Sequence, residues 1–155
     1  MLEAEISHMN RDTHARLANI ELAKRLEGKI PDALFWASRD GLMPRLEREL
    51  SEKGRSLDDY YEENGMNEEE LSVQMLIKSG ENLRQGFALE ALFDGRGMAV
   101  TDEDVLYAYE QMFGKRDCAV GALRASEKYP VVERSAKRMV ALNWLADTAV
   151  VKGAE

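Results

Sequence analysis

Apolar residues recur at steps of three and four along most of this chain, and that period limits its fold more than any other feature. Leu2, Ile6, Met9, Thr13, Leu17 and Ile20 form one such stripe, the spacing of a helix face. At roughly 100° per residue, Ala4, Ala15, Ala18, Leu22 and Leu26 fall on a second stripe about opposite the first. Two apolar faces predict two sets of neighbours for a helix running to about Glu27. No stretch alternates for long enough to make more than a very short strand. An aromatic content of 7% and only 3 prolines in 155 residues agree with an all-α fold.

Helix punctuation divides the remainder. Gly28 ends the first helix, and Pro31-Asp32 opens a second that carries Leu34, Phe35, Trp36, Leu42, Met43, Leu46 and Leu50 as far as Gly54. Gly41 and Pro44 lie inside it, and a proline there removes a hydrogen bond at a cost of about 3 kcal/mol, so a kink or break is expected just before Pro44. Ser56 with Asp59 three residues on makes a capping box for a short helix ending at Asn64-Gly65. Asn67 caps a long helix whose first turn, Glu68-Glu69-Glu70, complements the helix dipole. From Leu71 to Phe93 its apolar residues cover almost the whole circumference, which predicts burial on most sides. Thr101 with Asp104 caps a helix to about Phe113. Further helices are expected from about Asp117 to Glu127 and from Pro130 to about Val150.

Charge and cysteine content narrow the function classes. A net charge of −8 argues against a phosphate-binding surface, so neither nucleic acid nor an anionic membrane is an expected partner. The single cysteine, Cys118, rules out an intramolecular disulfide framework and fits a reducing cytoplasm. Glu3 and Glu5 stand where an export signal carries basic residues. His8 and His14, six apart, do not share a helix face as metal ligands would, so both read as surface residues. Cys118 has no histidine near it in sequence. Asp58, Asp59, Glu62, Glu63, Glu68, Glu69 and Glu70 lack the spacing of a calcium loop and read as a solvated, dipole-complementing face. No cofactor, metal or catalytic site is expected. A small helical enzyme using Cys118 or the acidic cluster is the weakest alternative.

Four segments taken in order, Gly28-Lys29-Ile30-Pro31-Asp32-Ala33-Leu34, Gly54-Arg55-Ser56-Leu57-Asp58-Asp59-Tyr60, Gly65-Met66-Asn67-Glu68-Glu69-Glu70-Leu71 and Met98-Ala99-Val100-Thr101-Asp102-Glu103-Asp104-Val105, resemble the C-terminal domain of the bacterial trigger factor family. The resemblance runs from about residue 2 to 152 and includes a closing Ala149-Val150-Val151. It implies an elongated helical body with two protruding arms: residues 1–29 as a body helix, 30–97 as arm one, 98–128 as arm two and 129–155 as the closing body helix. It further implies a cytoplasmic, ribosome-associated chaperone that binds unfolded or nascent polypeptide. Family members meet the ribosome through an N-terminal domain and isomerise proline through another domain, and neither is read in these residues. No enzymatic activity is therefore expected of this chain, and a homodimer is a further candidate assembly. The alternative is the helical chaperone segment of an exported peptidyl-prolyl isomerase.

Apolar residues beside turns, where burial is hardest to complete, mark the expected client surface. They are Leu57, Tyr60, Tyr61, Met66 and Met75 in arm one, with Tyr109, Met112, Phe113, Val120 and Leu123 in arm two. The resemblance adds its own support at Met112, Val120 and Leu123. Eight methionines fit an adaptable apolar surface, because a thioether repacks against differently shaped partners. Helix one is expected to pack on the closing helix, with Leu17 or Leu22 near Met139, Val140 or Trp144.

Overall fold

The structure, a computed structural model, describes residues 2–150, with side chains described from Asn10 onward. Seven helices follow one another: α1 Leu2–Lys24, α2 Asp32–Glu52, α3 Leu57–Asn64, α4 Glu68–Gly95, α5 Asp102–Phe113, α6 Val120–Arg124 and α7 Tyr129–Thr148. No strand occurs among the described residues, and no helix there is long and apolar enough to cross a membrane.

Local chemistry sets most of these boundaries. At α3 the Ser56 hydroxyl accepts from the Asp59 amide at 3.2 Å, while the Asp59 carboxylate accepts from the Ser56 amide at 2.8 Å. Thr101 and Asp104 repeat the reciprocal pair at α5. Asn67 and Glu70 do the same at α4, each accepting the other's amide at 2.9 Å. All three pairs satisfy helix-start donors that would otherwise lack partners. α3 stops at Gly65, whose φ of 59° lets the Met66 amide reach back to the Tyr61 carbonyl at 3.1 Å.

Two expected boundaries are corrected. α2 is not broken at Pro44 and runs unbroken through Gly41 and Pro44 to Glu52. Asp40, whose carbonyl loses the missing proline donor, is exposed, so water can take that donor's place. The helix expected from Asp117 to Glu127 shrinks to the five residues of α6. Its start has no side-chain cap, and Lys115, Asp117 and Tyr109 hold the preceding residues in a polar network instead.

The chain divides into two compact units, one formed by the residues up to Leu26 together with those from Gln85 on, the other by Glu27–Arg84; the division falls within α4. In the first unit α7 packs on both α1 and α5, so the first and last helices meet. Val105, Ala108, Tyr109, Leu123, Val132 and Ala136 form one buried cluster, against which Val120, Cys118 and Met139 pack. Leu89, Phe93, Ala141 and Leu145 form a second, flanked by Leu22, Val140 and Trp144. Leu22 therefore joins the neighbourhood expected of it, whereas Leu17 is 54% exposed. Of the second stripe Ala15 is buried and Ala18, Leu22 and Leu26 are half-buried; of the first, Ile20 is half-buried and Thr13 exposed, while Leu2, Ile6 and Met9, like Ala4 of the second, lie outside the described side chains.

The second unit has a thin core. Leu50, Leu71 and Ser79 are its buried side chains among the described residues. α2 meets α4 where the Phe35 ring lies against Gly80: a methyl placed there would come within 2.9 Å of the ring.

Candidate functional site

The residues expected to face a client fall into both units, and the structure treats them differently. In the second unit Leu57, Tyr60 and Tyr61 sit on α3, Met66 on the turn after it and Met75 on α4, all half-buried. Met66 lines a hollow of about 620 Å³ at the α3–α4 turn, beside Glu69, Glu70 and Val73. Met75 lines a groove of about 410 Å³ with Arg39, Met43, Pro44 and Ser72. Carboxylates ring this region. Burial, and then the charges of Glu68, Asp58 and Glu47, push the Tyr61 phenol above its ordinary value of 10.0.

Within the first unit the expected set divides. Met112 and Phe113, on the last turn of α5, are 42% and 40% exposed, and Val120 is half-buried. Leu123 and Tyr109 are corrected from surface to core: they retain 1% and 5% of their exposure and belong to the α5–α7 cluster. The Tyr109 ring packs 4.8 Å from that of Phe113, and its hydroxyl donates to Asp117 at 3.1 Å. Burial, then the bond to Asp117, raises the Tyr109 phenol above 10.0. Asp117 is held below 3.8, first by its hydrogen bond from Lys115 and also by that from Tyr109. This polar bracket holds the ring by its hydroxyl; the large apolar side chains that α5 leaves open to solvent are Met112 and Phe113, with Tyr107 at 47%.

Sequence reasoning passed over other exposed apolar residues. Val73 and Ile77, one turn apart on α4, are 52% and 58% exposed, so the burial expected on most sides of this helix leaves an open strip here. Leu34 and Trp36 on α2 are also exposed. The signal was present in the apolar circumference of α4, because a unit of this size lacks the partners to cover every face of a helix.

Several of the remaining candidates have a structural role. Asp59 and Glu70 serve as caps, and Glu63 pairs with Arg55. Cys118 packs against the α5–α7 cluster. His14 is half-buried and bonded to the Ala149 carbonyl rather than free on the surface, and the side chain of His8 lies outside those described. Among the described residues no three His, Cys, Asp or Glu side chains gather as they would to hold a metal ion.

Fold and surface together define an all-helical domain that presents apolar strips and grooves to solvent. The chain belongs to the trigger factor C-terminal family: the family model described as "Bacterial trigger factor protein (TF) C-terminus" matches residues 2–121. The trigger factor of Bacillus mycoides (strain KBAB4) is 28% identical over 146 residues, which cover 94% of this chain and 33% of that protein. That of Bacillus cereus (strain B4264) is 29% identical over 120 residues, covering 77% of this chain and 27% of the relative. The chain thus spans about a third or less of the length of these curated relatives. No solved structure gives a significant match.

Proposed function

We propose that this chain is a chaperone domain that binds unfolded or nascent polypeptide through dispersed apolar patches and is not itself an enzyme. Family membership carries the reading. In it, residues 30–97 and 98–128 are the two arms, and contact with the ribosome and prolyl isomerisation belong to other domains of a ribosome-associated folding factor. The family match favours this reading over the exported isomerase alternative. The client surface comprises Leu57, Tyr60, Tyr61, Met66, Met75, Met112, Phe113 and Val120 from the expected set, with Val73 and Ile77 added because they are open to solvent. Leu123 and Tyr109 support that surface from the core.

Each patch contributes little. Full burial of an apolar side chain is worth about 1.5–3 kcal/mol, and residues already half-buried gain less, so several patches must act together. The test replaces Val73, Ile77, Met112 and Phe113 together with serine and measures suppression of aggregation of a chemically denatured protein. Helical circular dichroism should be unchanged while binding weakens by about tenfold or more, the equivalent of about 1.4 kcal/mol. Undiminished suppression by the folded variant counts against the surface, and its absence from the parent chain counts against the function.

A further inference from the structure

The C-terminal end of α7 is held differently from its middle. Leu145 is the last buried residue of the helix; beyond it Asp147 and Thr148 are exposed, Ala149 is half-buried and Val150 is 83% exposed. Ala149 leaves the helix in an extended conformation, with φ −67° and ψ 135°. What ties this end to α1 is polar. Arg11 Nη1 donates to Asp147 Oδ1 at 2.5 Å, and His14 Nε2 lies 2.7 Å from the Ala149 carbonyl oxygen. A carbonyl only accepts, so Nε2 carries the hydrogen and donates it. The two donors stand three residues apart on α1, hence on one face.

Beside these contacts lies a groove of about 620 Å³ between α1 and α7. Leu17, Leu22 and Leu145 line it, and Ala149 and Val150 stand along it. An apolar groove thus has one side made of a short segment whose ties to α1 are an exposed ion pair and one hydrogen bond, while the Thr148 hydroxyl and the Ala149 amide donate back to the Trp144 and Leu145 carbonyls of α7 at 2.7 and 2.9 Å. Contacts of this kind are individually weak, so the segment can open locally while the buried part of α7 stays folded.

We propose that Asp147–Val150 is a displaceable strap, latched to α1 by Arg11 and His14, which limits access to the buried side of the apolar groove, at Leu22 and Leu145, and uncovers it on release. The strap is distinct from the client surface proposed above, which includes neither Leu17 nor any residue of α7, so either can fail without the other.

Hydrogen exchange and fluorescence of anilinonaphthalene sulfonate, measured on the full chain, test it. In the Arg11→Ala/His14→Ala variant the Thr148 and Ala149 amides should exchange roughly tenfold faster, the effect of losing one or two weak polar contacts. The amides of Ala141 and Leu142 should not change. Dye fluorescence should rise at least about twofold, and adding Leu17→Ser should remove most of the rise, since dye binding follows accessible apolar surface. Unchanged exchange at Ala149 overturns the latch. Faster exchange without a fluorescence rise, or a rise indifferent to Leu17→Ser, overturns the covering of the groove, and exchange accelerated equally along α7 overturns the strap as a local device. If the double variant loses helicity, Asp147→Ala breaks the ion pair from the exposed side and is held to the same outcomes.

Discussion

A capping carboxylate is where single residues of this chain couple most directly to solution conditions. Asp59 accepts both the amide and the hydroxyl of Ser56, at 2.8 and 2.9 Å. The amide bond first and the hydroxyl second hold its carboxyl below the ordinary 3.8, against a smaller opposing effect of desolvation. A depressed folded value means that the folded state favours the charged form. The resulting stabilisation of α3 is complete above 3.8 and is lost as the pH falls through the lower, folded value. A carbon-detected titration of Asp59 should therefore show a midpoint below 3.8, and Ser56→Ala should move it upward because the hydroxyl donor is gone. A wild-type midpoint at or above 3.8, or one indifferent to Ser56→Ala, sinks this account. Leu123 and Tyr109 show the opposite situation. Both sit beside turns, as a client-facing residue would, yet α7 supplies Val132 and Ala136 to cover them. Position beside a turn records only local exposure, whereas burial here is decided by a helix that starts several residues later in the chain.

Elements were legible in the sequence wherever a short-range chemical signal marked their ends. The boxes at Ser56 and Thr101, the Asn67 cap and the Gly65 stop depend on residues within five positions of one another, and the structure shows each in place. Pro44 does not break α2, because the cost of a proline depends on whether water can reach the Asp40 carbonyl, which only the folded surface reveals. α6 fell short of its expected length because Asp117 is engaged with Tyr109 and Lys115 rather than starting a helix. Long-range fit is better seen at the α2–α4 crossing. Gly80→Ala should gain about 1 kcal/mol of helix propensity, but it drives a methyl to 2.9 Å from Phe35 Cε2, and overpacking of that kind costs about 1–3 kcal/mol. The ring also packs edge-on to Trp36, with centroids 5.8 Å apart, and must shift against it to make room. A net loss of about 1 kcal/mol is expected in urea denaturation, and Phe35→Leu should relieve it in a double-mutant cycle. A Gly80→Ala protein at least as stable as the parent would show that the ring moves freely.

On the scale of the whole molecule, the two units differ most in how much they bury. The first unit holds two clusters in which Val105, Ala108, Leu123, Val132, Ala136 and Ala141 are at most 1% exposed. The second relies on Leu50 and Leu71, with Ser79 also buried and its hydroxyl unpartnered. The contrast was partly legible in the sequence, since apolar residues make up 21 of the 49 positions of α2 and α4 but 18 of the 32 of α5 and α7; the second unit also has fewer helices available to cover those it carries. The same shortage leaves Val73, Ile77, Leu34 and Trp36 open to solvent, so the apolar surface proposed for clients and the thinness of the core have one cause. Local stability follows buried apolar surface, which makes the second unit the first to open. In native-state hydrogen exchange at low denaturant, amides in α2, in α3 and in α4 before Arg84 should exchange through an opening at least about 1–2 kcal/mol below that of α5 and α7, the scale of one buried aliphatic side chain. The denaturant dependence of that opening should be the smaller of the two, because less surface is exposed by it. If both units instead exchange through a single global opening with the same slope, the core of the second unit is not the weaker one, and the exposed strip on α4 must be explained by selection for binding rather than by a lack of helices to cover it.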